Sequence, residues 1–162
     1  MQISSKEKSK KIYVEDFFIE YGHQAISGNE YIHGFEISNP KNKKFEFKAY
    51  KVSKRRYEDI STITGAFYYE NILNKKPVAR FAFGGMAGIP KRSKSLENLF
   101  KENPENNFDE NNIETAIKSD FQPLTDCRAT SQYRQRVAEN LFKKFTYFVN
   151  NEFDREEISR VS

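Results

Sequence analysis

The sequence predicts an α+β fold in which an antiparallel sheet of three to four strands packs against about three helices. Residues 30–83 contain alternating and β-branched segments, whereas residues 94–150 carry apolar side chains at helical spacing. A run of strands followed by a run of helices is typical of a sheet covered by helices on one face. The 162 residues suffice for one domain with a sizeable core.

Four segments have the pattern of strands: Glu30–Ser38, Lys43–Ser53, Ile60–Glu70 and Val78–Phe83. The second alternates most clearly, since Phe45, Phe47 and Ala49 fall on one face of the predicted strand. The last two segments flank Asn71–Lys76, which is typical of a turn. These two strands are therefore predicted to form a hairpin.

Three later segments have the spacing of helices: Lys94–Lys101, Asn111–Ser119 and Thr130–Asn150. The last one is the longest. Its apolar stripe consists of Tyr133, Val137, Leu141, Phe145 and Phe148. We expect this stripe to pack in the core.

The two ends of the chain are expected to carry little structure. Met1–Lys11 is polar and predicted to be loose, although Gln2–Ser4 could be the remnant of a strand. Val14–Tyr21 is predicted to form a short helical turn with its aromatic residues on one side. Glu152–Ser162 is charged and lacks an apolar period, which predicts a solvated tail.

Composition limits the classes of function. Hydrophobic residues make up a low 37%, but 15 Phe and 9 Tyr can bury enough area for a core. The net charge of +4 comes without a recognisable nucleic-acid-binding module, and no apolar run is long enough to span a membrane. The single cysteine, Cys127, excludes an internal disulfide and favours a reducing cytoplasm. We expect a cytoplasmic protein that binds neither nucleic acid nor membrane.

A first dense motif lies at residues 81–92, with the sequence FAFGGMAGIPKR. Gly84 and Gly85 permit a positive φ or the close approach of a bulky group. A phosphate-binding loop is the alternative interpretation, but the segment lacks the lysine and hydroxyl residue that end a P-loop. A tight turn with close packing is favoured.

A second dense motif lies at residues 120–134, with the sequence DFQPLTDCRATSQYR. Asp126, Arg128 and Arg134 stand near a predicted helix start. Capping with a partly buried ion pair is favoured over an anion-binding site. Cys127 is expected to be a small buried side chain, with a reactive thiol as the alternative.

The chain shows no self-contained active site. Its two histidines, His23 and His33, lie far from Cys127 in sequence, so neither a catalytic triad nor a metal-ligand cluster is indicated. We expect the isolated chain not to be catalytic. The basic run Lys51–Arg56 is interpreted mainly as a solvated loop.

Together with residues 49–61, AYKVSKRRYEDIS, and residues 12–21, IYVEDFFIEY, the two motifs resemble one known family. It is the C-terminal domain of the FAD-binding (medium) subunit of xanthine dehydrogenase and of the CO dehydrogenase flavoprotein. The resemblance rests on the order and spacing of these segments and covers residues 12–148. It implies a CO dehydrogenase flavoprotein C-terminal domain-like fold.

The resemblance also implies domain boundaries. Residues 1–29 would be the remnant of an upstream FAD-binding domain and the linker from it. Residues 30–150 would be the flavoprotein C-terminal domain, and residues 151–162 a charged tail. Because the glycine-rich upstream segments are not in this sequence, we expect an excised segment, a split subunit or the product of a truncated gene.

Three contacts with FAD follow from the resemblance. Lys51 matches a family lysine that reaches the flavin, where a cation would stabilise negative charge on the N1/O2 edge of the reduced ring. Ile32 matches a position with an apolar or backbone contact. Glu58 lies in the loop that borders the flavin, where Tyr57 replaces an acidic residue that is frequent in the family.

The function implied by the resemblance is electron transfer in a molybdenum hydroxylase. Electrons would pass from a molybdenum cofactor through iron–sulfur clusters to FAD, and then to NAD or another acceptor. The implied partners are the upstream FAD-binding domain, an Fe–S subunit or domain, and a molybdopterin subunit. FAD would be shared with the upstream domain, because a few contacts alone do not offset an association cost of about 4–15 kcal/mol.

Two other functions compete with this interpretation. A free-standing interaction or structural domain, or a truncated relic, would keep the fold without binding flavin. A nucleic-acid-binding protein would use Lys51–Arg56 with Tyr50 and Tyr57 and would bind in a salt-dependent way. The shortness of the basic run and the lack of a known module disfavour the second alternative.

Overall fold

The computed structural model describes residues 1–38, 45–55, 57, 60–70, 77–103 and 108–150. The chain divides into two compact units, Met1–Asn42 and Lys43–Ser162, which we call unit 1 and unit 2. Within the described ranges, no helix is long and apolar enough to cross a membrane.

Unit 1 consists of short strands. The antiparallel sheet β2-β1-β5 contains β1 (Gln2–Ser4), β2 (Ser9–Lys11) and β5 (Tyr31–Gly34), and a separate pair contains β3 (Phe18–Glu20) and β4 (His23–Gln24). A 3-10 turn spans Val14–Asp16. The strand predicted at Glu30–Ser38 is therefore shorter, and it pairs with β1.

Two expectations for unit 1 are wrong. Met1–Lys11 is a β-hairpin rather than a loose segment, because Ile3 is fully buried and the amide of Ser5 donates to the carbonyl of Lys8 at 2.8 Å in the turn. The helical turn predicted for Val14–Tyr21 holds for its first residues only. After it, the chain extends and pairs with β4.

Unit 2 combines a four-stranded antiparallel sheet of order β6-β7-β8-β9 with three helices. The strands are β6 (Phe45–Val52), β7 (Ile63–Glu70), β8 (Val78–Gly84) and β9 (Lys91–Arg92). The helices are α1 (Lys94–Glu102), α2 (Glu110–Asp120) and α3 (Ser131–Val149). The predicted α+β fold is confirmed. Strand β9 was not predicted, because a strand of two residues carries no hydrophobic period.

The core of unit 2 lies between the sheet and the helices and is largely aromatic. Its buried members are Ile63, Phe67, Ala79, Phe81, Phe83, Met86, Leu96, Phe100, Ile113, Ala116, Ile117, Phe121, Ala138, Leu141, Phe142, Phe145 and Phe148. The ring of Phe81 lies at its centre, with the rings of Phe67, Phe100, Phe142 and Phe145 at 5.2–5.7 Å. Edge-to-face packing of this kind adds to the stabilisation from burial.

The three helices begin at polar caps. The side chains of Ser93, Asp109 and Thr130 accept hydrogen bonds from the first-turn amides of α1, α2 and α3. Such caps satisfy amides that have no partner within the helix.

The outer edge of β8 is closed by β9 and by one buried carboxylate. Glu97 is 3% exposed, and its Oε1 accepts from the amide of Phe81 at 3.1 Å. Arg92 donates to both oxygens of Glu97, at 2.8 and 2.6 Å. A side chain from α1 thus occupies the place of a further strand.

Candidate functional site

Lys51 lies near the end of β6 on the sheet face that the helices leave uncovered. Its neighbours Tyr50 and Val52 pack against the core, so the alternation of a strand turns Lys51 to the other face, where it is exposed. Lys51 pairs across the sheet with Thr64, and Thr64 pairs with Gly84. We call this uncovered side the outer face.

A row of three small residues adjoins Lys51 on the outer face. Ala49 pairs with Ala66, and Ala66 pairs with Ala82, so the three methyl groups lie side by side across β6, β7 and β8. We call this row the alanine platform. Because no side chain in the row is longer than a methyl group, it provides a low, flat surface beside an exposed ammonium group.

The next row of the outer face is aromatic and charged. Phe47 pairs with Tyr68, which pairs with Arg80. Phe45 stacks on Tyr68 at 5.6 Å between ring centroids. Burial and a 2.7 Å hydrogen bond to Glu70 raise the pKa of Tyr68, which keeps its hydroxyl neutral. The alanine platform thus has Lys51 on one side and large rings on the other.

Glycine shapes the end of the sheet next to Lys51. A Cβ atom at Gly84 would overlap Oγ1 of Thr64. Gly85 has a φ of +80°, and a Cβ there would overlap the carbonyl oxygen of Thr62. The guanidinium of Arg134 also lies against Gly85. The predicted tight turn with a bulky group against it is confirmed.

Arg134 joins three segments at this end of the sheet. Its Nη1 donates to the carbonyl oxygens of Thr62 at 2.5 Å and Gly85 at 2.9 Å. Its Nη2 donates to both carboxylate oxygens of Asp126, at 2.7 and 2.8 Å. The Arg134 side chain is 6% exposed and that of Asp126 is 40% exposed, so the predicted partly buried ion pair is confirmed.

The same contacts set the charge state of Asp126. The hydrogen bond from Arg134 and those from the amides of Ala129 and Arg128 lower the pKa of Asp126 to about 2. The carboxylate is therefore ionised at neutral pH and orients the loop before α3. Both Nη atoms of Arg134 and both oxygens of Asp126 have partners within the junction, so we assign it a structural role.

Cys127 contradicts its predicted burial, because its side chain is exposed. The amides that follow it fold back onto Asp126, and its carbonyl oxygen accepts from Nζ of Lys54 at 2.9 Å. The Cys127 side chain therefore lies on the surface of this turn. In the described ranges, no group of three or more His, Cys, Asp or Glu side chains could hold a metal ion.

The other two predicted flavin contacts lie in different parts of the chain. Ile32 lies in β5 of unit 1, opposite Ile3, and is 42% exposed. Glu58 falls outside the described residues. Both remain predictions.

Sequence reasoning singled out Lys51 through the family resemblance, and its role stays a prediction; the alanine platform was not anticipated. The three alanines belong to three strands, and their alignment depends on the register between those strands. Each of the three strands β6, β7 and β8 carries an alanine in this row, but Val78–Phe83 contains two alanines and the sequence alone does not say which one belongs to it.

The family model of the CO dehydrogenase flavoprotein C-terminal domain matches residues 48–149 of the chain. The match includes Lys51, the alanine platform and all three helices. None of the curated proteins matches the sequence at a significant level.

Several solved structures share the fold. The chain is 16% identical to quinoline 2-oxidoreductase from Pseudomonas putida 86, with a TM-score of 0.71 over 94% of this chain and 52% of that chain. It is 16% identical to reconstituted CO dehydrogenase from Oligotropha carboxidovorans, with a TM-score of 0.72 over 88% of this chain and 49% of that chain. It is 15% identical to CO dehydrogenase from Hydrogenophaga pseudoflava lacking the Mo-pyranopterin moiety, with a TM-score of 0.63 over 88% of this chain and 49% of that chain. The chain therefore spans about half the length of these structures.

Proposed function

The chain belongs to the CO dehydrogenase flavoprotein C-terminal domain family, and from this premise we propose that it forms one side of an FAD site in an electron-transferring oxidoreductase. The observation that carries the proposal is Lys51 beside the alanine platform on the outer face. A flat row of methyl groups fits a planar ring, and a cation at its edge fits a ring that becomes negatively charged when it is reduced.

Each part of this surface has a distinct role in the proposal. Lys51 holds a positive charge near the N1/O2 edge of the flavin and favours its reduced form. The alanine platform permits close approach of the ring and excludes water beneath it. Bound FAD would supply the capacity to accept electrons from one partner and deliver them to another.

The other two predicted contacts belong to the same proposal. Ile32 would offer an apolar contact to the cofactor, and Glu58 would border it. Since these contacts and Lys51 are few, the upstream FAD-binding domain would supply most of the affinity. The chain alone would show no oxidoreductase activity.

The wider assembly is proposed from the family. An Fe–S subunit or domain and a molybdopterin subunit would deliver electrons to the flavin, and NAD or another acceptor would remove them. The solved structures include a Cu,Mo-CO dehydrogenase and a CO dehydrogenase that lacks the Mo-pyranopterin moiety of its molybdenum cofactor, and the naming of this cofactor supports this class of partner. A cytoplasmic location, expected from the single cysteine, belongs to the same proposal.

An FAD titration followed by flavin fluorescence tests the proposal. The chain would be titrated alone and together with a separately expressed upstream FAD-binding half of the family. We expect tight binding only with both halves present. Tight binding by the chain alone would show that its contacts are misassigned. No binding with the partner present would favour a structural domain or relic that does not bind flavin.

Lys51→Ala tests the residue on which the proposed flavin contact depends. Loss of one charged contact is expected to weaken FAD binding to the two-half complex by about tenfold or more, and to lower the reduction potential of the bound flavin. Lys48→Ala is the matched control, since Lys48 lies on the same strand but on the opposite face, above the ring of Phe148. Equal behaviour of both variants and the unmodified chain would remove Lys51 from the site.

A further inference from the structure

The two edges of the unit 2 sheet differ in what covers them. At β8, strand β9 and the carboxylate of Glu97 occupy the edge. At β6, no strand of the described ranges pairs with the outer edge, although β6 is eight residues long. A strand edge of this length presents backbone donors and acceptors to any chain that can pair with it.

The β6 edge is also apolar on its outer face. Phe45 is 42% exposed and Phe47 is 54% exposed, although both belong to a regular strand. Proteins commonly protect such edges with charged residues, lysine above all. Here the charges alternate with the rings in the order Phe45, Glu46, Phe47, Lys48. A pairing partner must therefore match both the rings and the charges.

A second copy of β6 matches both in one register. A two-fold axis perpendicular to the sheet makes the strands antiparallel and keeps both outer faces on the same side. If the axis passes at Phe47, each Glu46 lies opposite Lys48 of the other copy, and Phe47 lies opposite its own counterpart. Opposite charges directly across a strand pair stabilise it.

The neighbouring registers are worse. An axis at Glu46 places two carboxylates opposite each other, and an axis at Lys48 places two ammonium groups opposite each other. Like charges in these positions destabilise a strand pair. An axis at Ala49 places no opposite charges across from each other. Phe45 would then lie beyond the end of the other copy's β6. Among these four registers, the charges favour the axis at Phe47.

We propose that two copies of this chain associate by antiparallel pairing of β6 about a two-fold axis at Phe47. The ladder runs from Phe45 to Ala49 in both copies and joins the two sheets into one. Lys51 lies beyond this ladder, whereas Ala49 of the alanine platform lies at its end. Because a ladder of this length buries little area, the dimer is weak and concentration-dependent.

Cysteine cross-linking tests the register directly. In a Cys127→Ser background, Phe47→Cys places two thiols at opposed positions, where Cα atoms about 4.5–5.5 Å apart allow a disulfide. Ala49→Cys is the matched control on the same strand and face. Its two thiols would lie four residues apart along the strand, about 13 Å, which is too far for a disulfide.

The expected result is a covalent dimer of the Phe47→Cys chain under mild oxidation and a monomer of the Ala49→Cys chain. Three results would overturn the proposal: preferential cross-linking at Ala49→Cys, equal cross-linking at both positions, or none at either. Circular dichroism of each variant establishes that its fold is retained.

A charge reversal tests the same dimer without covalent cross-linking. Sedimentation velocity over a concentration series is expected to show weaker association for Glu46→Lys, because two pairs of like charges then oppose each other. The double variant Glu46→Lys with Lys48→Glu restores opposite charges and is expected to restore association. A monomer at all concentrations for the unmodified chain, or no recovery in the double variant, contradicts the proposal. Lys51→Ala is the control and is expected to associate like the unmodified chain.

Discussion

The two faces of the unit 2 sheet come from the same three strands but carry different side chains. The inner face places the large buried rings of Phe67, Phe81 and Phe83 against the helices. The outer face has Ala66 and Ala82 at neighbouring positions of the same strands. The residues that stabilise unit 2 and the residues proposed to meet a cofactor are therefore separated by one strand position. Substitutions on the two faces should have different consequences.

The largest expected loss of stability comes from removing a buried ring on the inner face. Phe81→Ala should lower the free energy of unfolding by about 3–5 kcal/mol, since its ring contacts four others in the core. Urea unfolding followed by circular dichroism measures this loss. Phe47→Ala is the control on the outer face and should change the free energy by less than about 1 kcal/mol. Equal losses would mean that the outer face is also part of a core.

A smaller loss of stability is expected from substitutions at the glycine turn that ends β8. Gly85→Ala should destabilise unit 2 by about 1–3 kcal/mol, because it combines a positive φ with overlap of a backbone carbonyl. Gly84→Ala is the neighbouring control, since its overlap is with the Thr64 side chain. Adding Thr64→Ala should restore stability to Gly84→Ala but not to Gly85→Ala. Rescue of both by Thr64→Ala would contradict this account.

The ion pair beside Gly85 predicts a dependence on pH. The folded pKa of Asp126 is about 2, below its ordinary value of about 3.9. Its contribution to stability is therefore fully present above about pH 4 and is lost as the pH falls from there to about 2. Asp126→Asn should be less stable than the unmodified chain at pH 6, and the difference should shrink at pH 2–3. Thermal unfolding of both chains across this range would show it, and a constant difference would exclude the ionised carboxylate as its cause.

The smallest effect on stability is expected on the alanine platform. Ala66→Leu adds a side chain above a surface without helices, so the free energy of unfolding should change by no more than about 0.5 kcal/mol. Flavin binding by the two-half complex should nevertheless weaken, because the longer side chain would hold the ring away from the platform. Unchanged FAD affinity with unchanged stability would place the flavin elsewhere.

Local patterns predicted most of unit 2. The apolar stripe of α3 and the alternation in β6 identified these elements, and the order of strands and helices predicted the α+β fold. Alternation cannot state which face of β6 meets the helices, however. Its two phenylalanines lie on the outer face, whereas Tyr50 and Val52 pack against the core.

What the sequence could not provide depends on distant contacts. The hairpin of β1 and β2 is polar in sequence and owes its order to the burial of Ile3. Cys127 looked like a small core residue, but the folded loop leaves it exposed. The alanine platform exists only once three strands adopt their register. Lys51 was identified through the family resemblance, and its place on the outer face came from the structure.

The order of the elements along the chain has a consequence for synthesis. The inner rings of β7 and β8 leave the ribosome before α3, which supplies Phe142 and Phe145 to cover them. At about 5–20 residues per second, the nascent sheet spends several seconds with its aromatic side unprotected. Chaperones that recognise exposed aromatic segments should bind nascent chains that end before α3 and release them once that helix has emerged.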